Sequence, residues 1–282
     1  MTKSNSVAFV TTIFPMKEGH LEVFFSSLSR QTFDNFDVVV LNDNYGPLNK
    51  FKSKYSELNI IDLPYNGTIA KNREYVINFV KNSSYDIAIF GDSDDYFDAN
   101  RIEKAVELLG ENDIVVNDIT LFDDGGIYDE SYISKRVKNN SLIDIEFIKD
   151  KNIFGMSNTA VRLSIFGELN FNPDLIAVDW FLFSILLLNS ATKAVFTTDT
   201  QTYYRQYADN TVGMKMLTKS SYIHGLVVKE KHYRALSSYN DCFIHLGDEV
   251  QKLARVAVSE ELVEELNIVN SHPLWWENIR RI

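Results

Sequence analysis

Residues 87–95 read IAIFGDSDD: four apolar residues, a glycine, and then Asp92, Asp94 and Asp95 within four positions. A short apolar run ended by a small residue reads as a buried strand that stops abruptly. Like charges about 4 Å apart repel by about 1 kcal/mol in water and about 4 kcal/mol at an effective dielectric of 20. Folding alone therefore gives no reason to crowd three carboxylates at a strand end. Ligands in open α/β sheets bind beyond the carboxyl ends of the strands. Hard divalent cations such as Mg2+ or Mn2+ take carboxylate oxygens, and Mg2+ is commonly held by one or two carboxylates plus substrate phosphates. Asp92 and Asp94 thus read as ligands of a metal on a diphosphate. The plainer alternative is an acidic turn leading into the next helix, and Asp95 and Asp98 fit that role.

Moving outward, strand-like runs alternate with helical patterns through the first half, the pattern of βαβ units and a mainly parallel sheet. VAFVTTIF (7–14) is the first strand, and Leu21, Phe24, Phe25 and Leu28 then recur at helical spacing. FDVVVLND (36–43) and NIIDL follow as strands. A turn at Gly67 leads to a helix whose buried face is Ile69, Val76, Ile77 and Val80. After the acidic cluster, Asn100 with Glu103 three positions on predicts a capped helix with Ile102, Ala105, Val106 and Leu109 inside and Gly110 at its end. From about residue 113, short strands (DIVVND, ITLFDD, AVFTTDTQTYY) mixed with helices predict added antiparallel strands. We expect a nucleotide-binding unit over 1–218 and a helical C-terminal appendage over 219–282.

The bulk composition narrows the function classes. The 282 residues are 45% hydrophobic and 24% charged, enough for a continuous core. A net charge of -11 argues against a nucleic-acid backbone as partner. The single Cys242 excludes an internal disulfide, and five scattered His argue against zinc. With no signal-peptide pattern, a cytoplasmic protein is expected. The apolar WFLFSILLLNSA run is too short to span a bilayer and reads as a buried helix. HPLWWENIRRI at the C-terminus suits either a tail docked by Trp275 and Trp276 or peripheral membrane contact. GxSxG, GxxxxGK[ST] and GxGxxG are all missing from the sequence, against a serine hydrolase, a P-loop NTPase and a dinucleotide-dependent oxidoreductase.

Several elements in order, VAFVTT, SLSRQTFDNFDVVVLND, GTIAKNREY and FGDSDDYF, resemble the family-2 glycosyltransferases of the GT-A fold. The resemblance covers roughly residues 5–210. It implies a GT-A-like (Rossmann-like) α/β fold with a mixed, mainly parallel sheet flanked by helices. It further implies an inverting transfer from a nucleoside diphosphate sugar, most readily a UDP-sugar, to a glycan or lipid-linked acceptor, as in surface polysaccharide or glycoconjugate synthesis. Carried over by position, Thr11 and Asp43 contact the nucleobase and ribose end, and Asp92 and Asp94 hold Mn2+ or Mg2+ on the diphosphate. Lys71 stands where the family writes Arg before Asn, with a plain helix-surface residue as the alternative. Asp179, in DLIAVDWFLF, matches the acidic motif near the acceptor and implies the general base, with a helix cap as the alternative. Val178 stands in place of the usual Glu there. Arg205, in YYRQYADNT, is a phosphate ligand or a surface ion-pair partner, and Tyr207 occupies the family's His position. A metal-dependent nucleotidyltransferase or phosphohydrolase is a competing reading, and a non-catalytic sugar-nucleotide-binding protein is another. An oligomer is compatible with all three.

Overall fold

The computed structural model describes residues 6–207 and 216–280. The first half runs β1 (Val7–Ile13), α1 (Glu18–Leu28), β2 (Phe36–Asn42), α2 (Asn49–Lys54), β3 (Asn59–Pro64), α3 (Ile69–Asn82) and β4 (Ile87–Phe90). A two-residue strand β5 (Tyr96–Phe97) and helix α4 (Arg101–Leu108) follow the acidic cluster. Next come β6 (Ile114–Asp123), β7 (Gly126–Asp129), β8 (Leu142–Ile143), β9 (Thr159–Arg162), α5 (Val178–Leu187) and β10 (Ala194–Arg205). The C-terminal region carries α6 (Lys219–Leu236), α7 (Cys242–Ala254) and α8 (Glu260–Val269).

Among the described residues one sheet runs in the order β3-β2-β1-β4-β9-β6-β10-β5, with β7 added on β6 and β8 on β10. β3, β2, β1 and β4 pair in parallel, while β9 enters antiparallel between β4 and β6. The expected mixed sheet is thus present. DIVVND and ITLFDD, read as two strands, form the single strand β6. Consecutive strand residues face opposite layers. Val7 and Phe9 join the core under α1, α2 and α4, whereas Ala8 and Val10 join the core shared with α3 and α5. Burial on both faces is what the near-continuous apolar runs of the parallel strands signal.

Two local expectations differ. Asn100 makes no capping bond to α4; its amide donates to the Asp199 carbonyl at 3.1 Å. The free N–H of Ile102 is taken instead by Gln31 Oε1 at 3.0 Å, from the segment after α1. Ile69, expected inside, is 56% exposed at the first turn of α3 and borders the cavity described below. The C-terminal helices share the core of α5: Tyr222, Leu226, Tyr233, Phe243, Val263 and Leu266 belong to the same apolar cluster as Trp180 and Phe183. The run beyond α8 docks on the body. The Arg136 guanidinium meets both Glu277 oxygens at 2.8 and 2.9 Å, Tyr132 Oη donates to the Pro273 carbonyl, and Asn152 bridges Trp275. Trp275 is 7% exposed, so docking accounts for it.

Candidate active site

The site begins where β4 stops. A Cβ at Gly91 would lie 2.3 Å from Phe9 Cζ and 2.8 Å from Phe97 Cζ, so only glycine lets the chain turn between these rings. The acidic run then splits by alternation. Ser93 and Asp95 are each 1% exposed, while Asp92 and Asp94 face a cavity of about 800 Å3. Asp95 accepts the backbone N–H of Arg205 at 2.7 Å and the hydroxyl of Ser157. Burial, reinforced by Asp94 and Asp92, pushes its pKa well up. Asp98 accepts Gln201 N at 2.8 Å and Tyr203 Oη at 3.2 Å. Asp95 and Asp98 therefore fasten the acidic loop to β10 and do not cap α4. Below them Arg101 is 1% exposed, donates to the Phe90 carbonyl at 2.6 Å and lies 4.4 Å over the Phe97 ring. Burial pushes its pKa down to about 9, with Asp95 and Asp92 opposing, so it is a cation at neutral pH beneath the carboxylates.

Asp43, Asp92, Asp94, Asp179 and Arg205 all line the one cavity. Asp43 accepts Asn72 Nδ2 at 2.8 Å. Asp92 receives Arg73 Nη2 at 2.6 Å, and Arg73 Nη1 also reaches Thr12 Oγ1 at 3.2 Å. Asp94 accepts the Tyr207 hydroxyl at 2.6 Å, and its pKa is raised first by burial and then by Asp92. Arg205 Nε donates to the Asp94 carbonyl at 2.9 Å, with its guanidinium 4.4 Å from the Phe122 ring. The residues 208–211 of the YYRQYADNT stretch lie outside the described residues.

Asp179 sits in the first turn of α5, its Oδ1 accepting its neighbour's Trp180 N–H at 2.8 Å and its Oδ2 3.5 Å from Asn152 Nδ2. Burial pushes its carboxyl up to about 6. Asp92 acts in the same direction, and Arg73 and the Trp180 N–H act against it. Residues 87 positions apart in sequence thus share one electrostatic field. Val178 is buried as the first residue of α5.

Two sequence candidates fall outside the cavity. Thr11 is 0% exposed, on the side of β1 that carries Phe9 and Ile13, and Thr12 lines the cavity in its place. Lys71 Nζ pairs with Glu74 at 2.9 Å and meets Asn170 at 3.3 Å. Arg73, two positions on, lines the cavity, and Lys71 does not. The helical face was legible: Ile69, Asn72, Arg73 and Val76 follow i, i+3, i+4 and i+7, and Lys71 does not belong to that set. His20, Lys17 and the C-terminal Trp275 and Trp276 complete the wall. No local sequence signal connects those tryptophans to β4. Among the described residues no group of three or more His, Cys, Asp and Glu side chains is disposed to hold a metal unaided.

The α/β sheet brings strand-end carboxylates and cationic side chains to one cavity. The chain belongs to glycosyl transferase family 2, whose model matches residues 12–169, more than half its length. Among solved structures it resembles Staphylococcus aureus TarS residues 1–349 in complex with UDP-GlcNAc, at 15% identity and a TM-score of 0.62, over 95% of this chain and 82% of that one. It also resembles GalNAc-T7 with UDP, GalNAc and Mn2+, at 12% identity and a TM-score of 0.60, over 99% of this chain and 56% of that one. At these identities the likeness establishes the fold. No match is found among curated proteins.

Proposed function

We propose that this glycosyltransferase moves a sugar, with inversion, from a nucleoside diphosphate sugar to an acceptor hydroxyl in glycoconjugate or surface polysaccharide synthesis. The observation that carries the reading is the convergence of Asp43, Asp92, Asp94, Arg73, Arg205 and Asp179 on one cavity. UDP is the favoured nucleotide, because TarS is solved with UDP-GlcNAc and GalNAc-T7 with UDP. In this reading Asp43, which accepts Asn72 Nδ2, binds the ribose, and Arg73 and Arg205 bind the diphosphate oxygens; their shared place on the cavity supports it.

The donor set suits Mn2+ or Mg2+. Asp92 and Asp94 offer hard oxygens side by side, and Asp94 carries a charge that burial and Asp92 disfavour. Two carboxylates leave the remaining ligands to the diphosphate. A divalent cation bound there would serve as Lewis acid for the leaving diphosphate. Asp179 takes the proton of the acceptor hydroxyl as that oxygen bonds to the anomeric carbon. The bond from that carbon to the diphosphate breaks, its electron pair leaving with the phosphate oxygen. The Trp180 N–H donates to one Asp179 oxygen, and Asn152 Nδ2 lies 3.5 Å from the other, an orientation that supports this role.

No helix among the described residues is long and apolar enough to cross a membrane, and a cytoplasmic enzyme acting on a glycan or lipid-linked acceptor is our reading. Calorimetry of UDP with Mn2+, and again with chelator, tests the donor site. Binding at least tenfold tighter with metal is expected. Equal affinity in both would remove the metal role, and no nucleotide binding in either would remove the reading.

A further inference from the structure

We propose that Trp276 is the stacking platform for a pyranose ring of the acceptor, holding that ring so its hydroxyl meets Asp179. The proposal deepens the transfer reading and rests on it. Trp276 lies on the cavity wall, partly exposed, whereas Trp275 beside it is buried edge-on against Tyr204, with ring centroids 5.8 Å apart. Its backbone has φ 67, in the left-handed region. For a bulky side chain that is a strained conformation, which persists only where the surroundings impose it.

The surroundings are built for this. Glu277, next in sequence, is clamped by both Arg136 nitrogens and accepts Leu274 N at 3.0 Å and Asn270 Nδ2 at 2.9 Å. The clamp keeps the Glu277 carboxylate ionised, with its pKa down to about 2. On the other side, Asn152 N donates to the Trp275 carbonyl at 2.9 Å while its side-chain amide approaches Asp179 Oδ2. One residue therefore ties the tryptophan segment to the candidate base. Met156, Ile176 and Ala177 also line the cavity, and their side chains are apolar. An aromatic face in such a cavity suits the C–H face of a sugar ring, and Asp43 just after β2, with Asn72 on α3, offers the polar edge a nucleoside needs.

The test uses the full-length protein saturated with UDP and Mn2+, and methyl glucoside, methyl galactoside and methyl N-acetylglucosaminide as probes. Saturation-transfer NMR should detect at least one of them on the wild type. Trp276→Ala should weaken it about tenfold, which corresponds to about 1.4 kcal/mol, and Trp276→Tyr should restore most of the loss. UDP affinity should stay unchanged in both variants, which also reports that they fold. The proposal is overturned if Trp276→Ala binds the pyranoside as the wild type does, or if the wild type binds UDP and none of the three. It is also overturned if the variants keep the wild-type melting temperature and lose UDP affinity, since the ring would then stack on the nucleobase. Failure of the wild type to bind UDP at all would strike the transfer reading itself.

Discussion

Replacing Asp179 with Asn separates its chemical role from its cost to the fold. Its carboxyl has a pKa of about 6 in the folded protein, against 3.8 as its reference value. Between those values the folded state binds the proton more than the unfolded state does. Stability therefore falls as pH rises through that window, and the contribution present below pH 4 is gone above pH 6. The displacement is worth up to about 3 kcal/mol. Asn at this position can still accept the Trp180 N–H, but its amide would face Asn152 Nδ2, now 3.5 Å from Oδ2, with donor against donor. We set the net gain for Asp179→Asn at about 1–2 kcal/mol at pH 8, or about 2–4 °C in Tm, vanishing near pH 4.

Transfer should change the opposite way. A positioned base contributes about 10² to 10⁴ in rate, and the variant should lose that factor with metal-dependent UDP affinity unchanged. Wild-type transfer at saturating donor should fall about tenfold per pH unit below 6, and the residual rate of the variant should be flat there. Initial rates with a radiolabelled donor and melting scans at pH 4, 6 and 8 measure both. A variant that is slower and also less stable at pH 8 would show that the carboxylate holds the first turn of α5. A variant at the wild-type rate would show that the base lies elsewhere.

Two further outcomes follow from the cavity's charges. Asp94→Asn should abolish most of the metal-dependent part of UDP binding in calorimetry while leaving the fold intact, because burial already disfavours the charge it removes. Arg73→Gln should weaken UDP binding about tenfold or more, with a smaller salt dependence, and Lys71→Gln should leave it within about twofold. Equal effects at positions 71 and 73 would contradict the placement of Arg73 on Asp92.

Much of the fold was legible because strand and helix periods are local. Leu21, Phe24, Phe25 and Leu28 are all buried as their spacing predicts, and IAIF is a fully buried strand. The site was legible only in part, since faces and registers decide it. Thr11 and Thr12 are chemically alike, and the register of β1 alone sends one into the core and the other into the cavity. The motif points to Lys71, whereas the helical face turns Arg73 toward Asp92 and the cavity. The tryptophan segment is held by Arg136 on Glu277 and Asn152 on Trp275, each pair more than a hundred residues apart, and no window of sequence contains those contacts.

The crowding in GDSDD resolves once each carboxylate is followed to its partner. Asp95 and Asp98 spend their oxygens on β10, so they set the distance between the acidic loop and Arg205. Arg101 places a buried cation under the loop, and Arg73 meets Asp92 from α3. Among the described residues Asp94 accepts the Tyr207 hydroxyl, and its pKa is raised by burial and by Asp92 with Arg205 opposing, so much of the cluster's repulsion falls on a carboxylate that lines the cavity beside Arg205. That is where a cation would be held most strongly, because it relieves a repulsion that Tyr207 and Arg205 relieve only in part. A ligand that brings phosphate oxygens and a divalent cation together supplies anions for Arg73 and Arg205 and a counter-charge for Asp94 in one event. A bare phosphate supplies only the first. Nucleotide and metal should therefore bind with positive coupling, each raising the affinity of the other by the same factor.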